Sequence, residues 1–164
     1  MSMDERGMSK VNKPEELQAA LVKAFNEDSQ VLVEEYISGR EFTIGVFKSK
    51  GKIVALPITE IISKKEFFDY EAKYYGASEE VTPAVLEESL ALKIKETAKK
   101  VYAVFNCNGI VRIDFILNDT DNEPYMLEVN TVPGQSEASI IPQQVKAMGW
   151  TLKDFYSALI EECF

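Results

Sequence analysis

The stretch "GIVRIDFILNDTDNEPYMLEVNTVPG", Gly109–Gly134, decides how this chain folds. An alternating run, "VRIDFIL", gives way to a polar segment, "NDTDNE". A second run, "PYMLEVN", follows, and the chain then turns at Pro133-Gly134. Alternation with period two predicts strands, and the short polar connection predicts that they pair as an antiparallel hairpin. On the first strand Arg112 and Asp114 share a face, opposite Val111, Ile113 and Phe115. On the second, Glu128 and Asn130 share a face, opposite Leu127 and Val129. Pairing the polar sides brings Asp114, Glu128 and Asn130 together, with Arg112 beside them. Two carboxylates and an amide oxygen, without sulfur or imidazole, are hard ligands. They suit Mg²⁺ or Mn²⁺ with phosphate oxygens and water completing an octahedron. Arg112 offers a planar grip on a phosphoryl or carboxyl group. The same residues also suit the wet face of an antiparallel sheet, and spacing alone leaves both readings open. Carboxylates on facing strands repel each other without a cation, which favours the metal. "NDTDNE" lacks the glycine and distal glutamate of an EF-hand loop and reads as a solvated turn.

Working outward, "NKPEELQAALVKAFNE" predicts a helix. Asn12 and Glu15 form its capping pattern, Pro14 lies in its first turn, and Leu17, Leu21 and Phe25 form its apolar face. "QVLVEEYI" predicts a strand, Ser38-Gly39 a turn, and "REFTIGVF" a second strand. Ser49-Lys50-Gly51 turns the chain into "KIVALPITEI", so a three-stranded antiparallel meander is expected. From Ser63 to about Pro83 neither period holds. A segment this long, and rich in aromatics and charges, is expected to be a functional loop. "AVLEESLALKIKETAKKVYAVFN" predicts a long helix with Leu86, Leu90, Ile94, Ala98, Val101 and Phe105 on its apolar stripe. Two further helices are expected at about Ile140–Met148 and Leu152–Glu162, the latter capped by Thr151. No internal repeat or flexible linker is evident. Helices and strands come in blocks, so the expected class is α+β, a mainly antiparallel sheet packed with helices.

Composition bounds the chemistry. The chain has 164 residues, a net charge of −9 and no histidine. The charge argues against a nucleic-acid partner, because phosphate backbones call for a basic surface. No apolar run is long enough for a membrane span. "MSMDERGMSK" lacks the apolar centre of a signal peptide, and a cytoplasmic location is expected. Cys107 and Cys163 are far apart and read as reduced thiols, with a disulfide as the alternative. Without histidine there is no Ser-His-Asp triad and no histidine-ligated zinc or iron, so catalysis must rest on carboxylates, Lys, Arg, Tyr, backbone amides or a hard metal.

Four segments, "VLVEEYISGREFTIGVF", "FFDYEAKYY", "GIVRIDFIL" and "YMLEVNTVPGQSEASIIP", occur in this order. Together they resemble the C-terminal half of D-alanine–D-alanine ligases, which are ATP-grasp enzymes. The resemblance runs from about Gly7 to Phe164. "LEVNTVPG" is shared broadly among ATP-grasp enzymes, whereas "DYEAKY" and the Pro-Gly…Ser-Ile-Ile-Pro stretch narrow the match. It implies an ATP-grasp C-terminal subdomain that joins two D-alanines through an acyl phosphate, using ATP and two Mg²⁺ (or Mn²⁺) ions, in peptidoglycan precursor synthesis. It further implies that Asp114, Glu128 and Asn130 bind the metals. By the same likeness Arg112 steadies the transferring phosphoryl group, the Gly134 N–H serves the developing oxyanion, and Ser139 and Ile140 receive the carboxylate of the second D-alanine. Glu34, Glu35, Tyr36 and Ile37 match the adenine hinge and Glu41 the ribose carboxylate, while Lys73 and Tyr74 match a lid over the substrate. Read without the family, Glu34 and Glu35 are plain strand residues, Lys73 is a surface lysine, Tyr74 is core beneath the loop, and Ser139 is a helix cap.

The match also has gaps. "DERGMSKV" stands where a glycine- and serine-rich phosphate loop belongs, and only Gly7–Val11 keeps its pattern. Residues 1–11 are therefore expected to be a remnant of that loop with a tag, and residues 12–164 the catalytic domain. The family's N-terminal domain and its phosphate-gripping lysines have no counterpart. The chain alone is expected to be inactive and the intact enzyme to be a homodimer. Two alternatives stay open: another ATP-grasp carboxylate–amine ligase, or a folded fragment without catalysis.

Overall fold

A computed structural model describes residues 7–63 and 78–164. The chain forms two compact units, Met1–Tyr36 with Ser63–Ser78, and Ile37–Ile62 with Glu79–Phe164. In the first unit a 3₁₀ turn, Pro14–Glu16, leads into helix α1, Leu17–Phe25. Glu16, one residue beyond the expected Glu15, accepts the orphan N–H groups of Asn12 at 2.9 Å and Lys13 at 3.3 Å. None of the α1 residues is buried, and Leu17 and Phe25 are exposed.

The second unit is built on β1 (Gly39–Ser49), β2 (Lys52–Ala55), β3 (Thr59–Ser63), β4 (Ser78–Val81), β5 (Val111–Asn118) and β6 (Pro124–Asn130). Their order is β4-β3-β1-β5-β6, with β2 also paired to β1. One edge of β1 pairs with β2 from Val46 to Ser49 and with β3 from Glu41 to Thr43. Its other edge pairs antiparallel with β5 from Gly39 to Val46. That second pairing overturns the expected meander. With both edges of β1 occupied, "QVLVEEYI" has no edge to join and forms no strand, and Leu32 and Val33 lie exposed. Nor is Gly39 a turn residue. It opens β1 opposite Asn118, where a Cβ would lie 2.1 Å from the Leu117 carbonyl oxygen. The expected loop from Ser63 to Pro83 is shortened by β4, which adds a sheet edge from Ser78.

Both faces of the sheet are covered over β1, so Phe42–Phe47 are buried without alternation. On one face lies α2 (Glu88–Val104), whose Ile94, Ala98 and Tyr102 pack on Phe42, Ile44, Val46, Val111, Ile113, Phe115 and Leu117. Leu86, Leu90 and Val101 join this layer, but Phe105, past the helix end, is exposed; Tyr102 takes the inward place and donates to the Gly109 carbonyl at 2.8 Å. On the other face α3 (Ile140–Ala147) and α4 (Leu152–Glu161) place Ile141, Val145 and Phe155 against Phe47 and Leu56. Thr151 caps α4 by accepting the Asp154 N–H at 3.1 Å, as the sequence predicts.

Candidate active site

The polar side chains of the β5–β6 hairpin gather on the sheet face that α3 and α4 partly cover. Cross-strand pairs share a face. Asp114 stands opposite Glu128, Arg112 opposite Asn130, and Thr43 opposite Asp114. The Val111, Ile113, Phe115 and Leu117 side chains go to the other face, as the alternation demands. A register shift after Asp114 departs from simple alternation: Glu128 faces Asp114 but Met126 faces Phe115, which leaves Leu127 as the extra residue of a bulge. This is why Leu127, expected on one face with Val129, is exposed while Val129 packs on the core. The bulge sits immediately before Glu128.

Arg112 grips Asp114 with both ends of its guanidinium, Nε to Oδ1 at 2.9 Å and Nη2 to Oδ2 at 2.8 Å. It also lies 3.6 Å from Glu128 Oε1. The Thr43 hydroxyl donates to Asp114 Oδ1 at 2.5 Å. Burial pushes the Asp114 carboxyl up, but the Arg112 hydrogen bonds and charge, with the Thr43 hydroxyl, outweigh it and hold the carboxyl below its ordinary value. Burial likewise opposes the Arg112 charge, yet its bonds to Asp114 and the charges of Asp114, Glu128 and Glu80 hold its proton more tightly than usual. Asn130 Oδ1 accepts the Val132 N–H at 3.0 Å, which turns its amide oxygen at the strand end.

Beyond the hairpin, the turn brings Gly134 against Ser139: a Cβ on Gly134 would lie 2.7 Å from Ser139 Oγ. Ser139 occupies the N-cap position of α3, but its hydroxyl makes no cap bond and instead meets Ser136 Oγ at 2.8 Å. Tyr156 donates to Gln135 Oε1 at 3.0 Å, fastening this turn to α4. Ile140, the first α3 residue, is half-buried. Glu41 lies on β1 on the same face as Thr43, and Ile37 precedes that strand. Glu34, Glu35 and Tyr36 belong to the first unit and are exposed; there the Lys10 ammonium sits 3.7 Å from the centre of the Tyr36 ring. Lys73 and Tyr74 lie outside the described residues.

Buried polar residues that the sequence reading passed over support the site. Gln144 of α3 is fully buried, accepts the Gly45 N–H at 2.8 Å, and donates to the Thr43 carbonyl and the Thr59 hydroxyl, both at 3.0 Å. It ties the helix that begins at Ser139 to the strand that carries Thr43. The only advance signal for Thr43 was its shared face with Glu41, and that gains meaning only once β1 is known to pair with β5.

The donor set fits a hard cation. Among the described residues no three His, Cys, Asp or Glu side chains cluster for a metal. Asp114, Glu128 and the Asn130 amide therefore make an incomplete set, of the kind that holds Mg²⁺ together with phosphate oxygens and water.

The family model described as D-ala D-ala ligase C-terminus matches residues 5–161. This chain belongs to the D-Ala–D-Ala ligase C-terminal family. It is 48% identical over 155 residues to the D-alanine–D-alanine ligase of Flavobacterium johnsoniae, covering 94% of this chain and 47% of that protein. Among solved structures it is similar to the VanG D-Ala:D-Ser ligase from Enterococcus faecalis, with a TM-score of 0.84, 31% identity, and coverage of 96% of this chain and 46% of that one. It is also similar to the D-alanine–D-alanine ligase from Bacillus anthracis complexed with ATP, with a TM-score of 0.73, 34% identity, and coverage of 92% and 48%. The chain thus spans about half the length of the curated D-Ala–D-Ala ligases it matches. No helix among its described residues is long and apolar enough to cross a membrane.

Proposed function

We propose that this chain is the catalytic C-terminal part of an ATP- and Mg²⁺-dependent ligase that joins two D-alanines into D-alanyl-D-alanine. The setting is cytoplasmic synthesis of a peptidoglycan precursor. The observation that carries the proposal is the hairpin itself: two carboxylates face each other beside an arginine and an amide oxygen, one turn before Gly134 and Ser139. In the reaction, one D-alanine carboxylate oxygen attacks the γ-phosphorus of ATP and releases ADP. The amine of the second attacks the resulting acyl carbon, loses a proton and releases phosphate. Bound Mg²⁺ (or Mn²⁺, two ions in the intact enzyme) neutralises phosphate charge, and Asp114, Glu128 and Asn130 are the residues that would hold it. Arg112, kept charged by its carboxylate neighbours, orients a phosphoryl oxygen. The Gly134 N–H, on a tight turn, donates to the oxyanion at the acyl carbon. Ser139 Oγ, unused by its helix, is available to a substrate carboxylate. Ile37 with Glu34, Glu35 and Tyr36 would line adenine, Glu41 would take the ribose hydroxyls, and Lys73 and Tyr74 would close over the substrates.

Because the chain is half of its relatives' length, we expect it to bind nucleotide weakly and not to turn over. The intact protein is proposed to be a homodimer. The similarity to a D-Ala:D-Ser ligase favours a second reading that differs only in the second amino acid. A product assay on the intact protein with D-alanine and D-serine separates the two. The proposal for this chain is tested by thermal unfolding with Mg²⁺ alone and with MgATP. A rise in Tm that needs both, and that is lost in Asp114→Ala or Glu128→Ala, is expected. An unchanged Tm at millimolar MgATP would leave the chain a scaffold.

A further inference from the structure

The pair Asn108-Gly109 takes no part in the proposed site. It lies in the connection between α2 and β5, and both residues are exposed. The Asn108 side chain is held loosely: its amide nitrogen reaches the Asn106 carbonyl at 3.5 Å, the long limit for a hydrogen bond. Gly109 stands at φ +67°, and a Cβ built on it would meet nothing within 4 Å. Its carbonyl accepts the Tyr102 hydroxyl, but its N–H meets no acceptor among the described residues.

An asparagine amide carbon is open to attack when the next backbone nitrogen is free to approach it. Glycine shields that nitrogen least, because it has no Cβ. Of the asparagines in this chain only Asn108 precedes a glycine. The fold restrains the rest. The N–H after Asn12 donates to the Glu16 carboxylate at 3.3 Å, and the N–H after Asn122 donates to the Asp121 carboxylate at 2.9 Å. The N–H groups after Asn26 and Asn106 donate to the Ala24 and Tyr102 carbonyls, both at 3.0 Å, and the one after Asn118 to the Ser38 carbonyl at 3.1 Å. Asn130 spends its side-chain oxygen on the Val132 N–H at 3.0 Å. In each of these a made hydrogen bond must break before attack.

We propose that Asn108 is a self-modification site, which converts to isoaspartate through a succinimide closed by the Gly109 nitrogen. That nitrogen bonds to Asn108 Cγ. Its proton passes to the departing side-chain nitrogen, which leaves as ammonia. Water then opens the ring at either carbonyl. Cleavage between the Gly109 nitrogen and Cγ gives aspartate. Cleavage between that nitrogen and the Asn108 main-chain carbonyl carbon gives isoaspartate, whose backbone runs through the side chain. Either product adds a negative charge to the α2–β5 connection, and isoaspartate also adds a backbone carbon.

The test is to age the folded chain in warm, mildly alkaline buffer and follow each asparagine by peptide mass spectrometry. Fragmentation that separates aspartate from isoaspartate is included. The proteins are the wild type, Asn108→Gln and Gly109→Ala, with Tm measured for each. The expected result is that Asn108 is lost several-fold faster than any other asparagine, with isoaspartate among its products. Asn108→Gln, an exposed change, is expected to remove the acidic species that ion-exchange chromatography resolves in the aged wild type. Gly109→Ala is expected to slow the conversion several-fold. If Gly109→Ala fails to fold, the site-resolved rates in the wild type still decide. Loss at another asparagine as fast as at Asn108, or conversion of Asn108 to aspartate with no isoaspartate, would overturn the proposal.

Discussion

Asp114 keeps its charge in a half-covered site because Arg112 and Thr43 together offset the cost of burying it. Asp114→Ala would leave Arg112, only 16% exposed, without its bidentate partner. Removing one member of such a pair costs about 3 kcal/mol, at the low end for buried pairs because water still reaches it. Urea unfolding at pH 7 checks this. The pH dependence follows from the lowered folded-state pKa. Asp114 contributes its stability in full above the ordinary carboxylate value, near 4, and loses it as pH falls below that. The stability gap between wild type and Asp114→Asn is therefore expected to shrink as pH falls below about 4. Tyr102 has the opposite sign. Burial pushes its hydroxyl up to about 12, so the folded state holds a proton that the unfolded chain releases from about pH 10. Stability present below pH 10 is lost on approach to 12, and Tyr102→Phe is expected to remove that alkaline component. At this scale the sequence was legible for Arg112, Asp114, Glu128 and Asn130, because period two decides which side chains share a face. Thr43 and Gln144 were not legible. Their roles come from pairings with residues 71 and 101 positions away, which no local period encodes.

At the scale of elements, the hairpin, the long helix and the last two helices all appear where alternation and period 3.6 place them. The misread meander has one cause: competition for an edge. "QVLVEEYI" has strand character, but β1 has only two edges, and pairing with β5 from Gly39 to Val46 takes the one it needed. That β1–β5 contact spans about seventy residues of sequence. A testable consequence lies at Gly39, expected as a turn and found inside the ladder. A methyl there meets the Leu117 carbonyl oxygen at 2.1 Å and Ile116 Cγ2 at 2.7 Å. The first contact is backbone and cannot swing aside. Gly39→Ala is expected to cost about 2–3 kcal/mol, with faster amide exchange at Leu117 and Asn118. The Leu127 bulge was equally invisible, since an added residue in one strand leaves composition and period nearly unchanged. It matters because it falls next to Glu128.

Over the whole molecule, the two thiols give a simple check on the packing. Cys163 is exposed, while Cys107 is partly covered and burial pushes its thiol up; neither is in a disulfide. Alkylation by iodoacetamide at pH 8 is expected to mark Cys163 several-fold faster than Cys107, and equal rates would contradict the packing of Cys107 against the core just past the end of α2. The fold joins a sheet whose β1 is covered on both faces to a polar strip along the β5–β6 hairpin. The central claim is that the strip is a hard-cation site at Asp114, Glu128 and Asn130. Anomalous diffraction from crystals of this chain grown with MnCl₂ and ADP tests it most directly. The account predicts a manganese peak about 2.0–2.3 Å from oxygens of Asp114 and Glu128, with Asn130 or a phosphate oxygen among its other neighbours. A manganese peak bound elsewhere, with Arg112 still holding Asp114 and no density between the two strands' carboxylates, would contradict it.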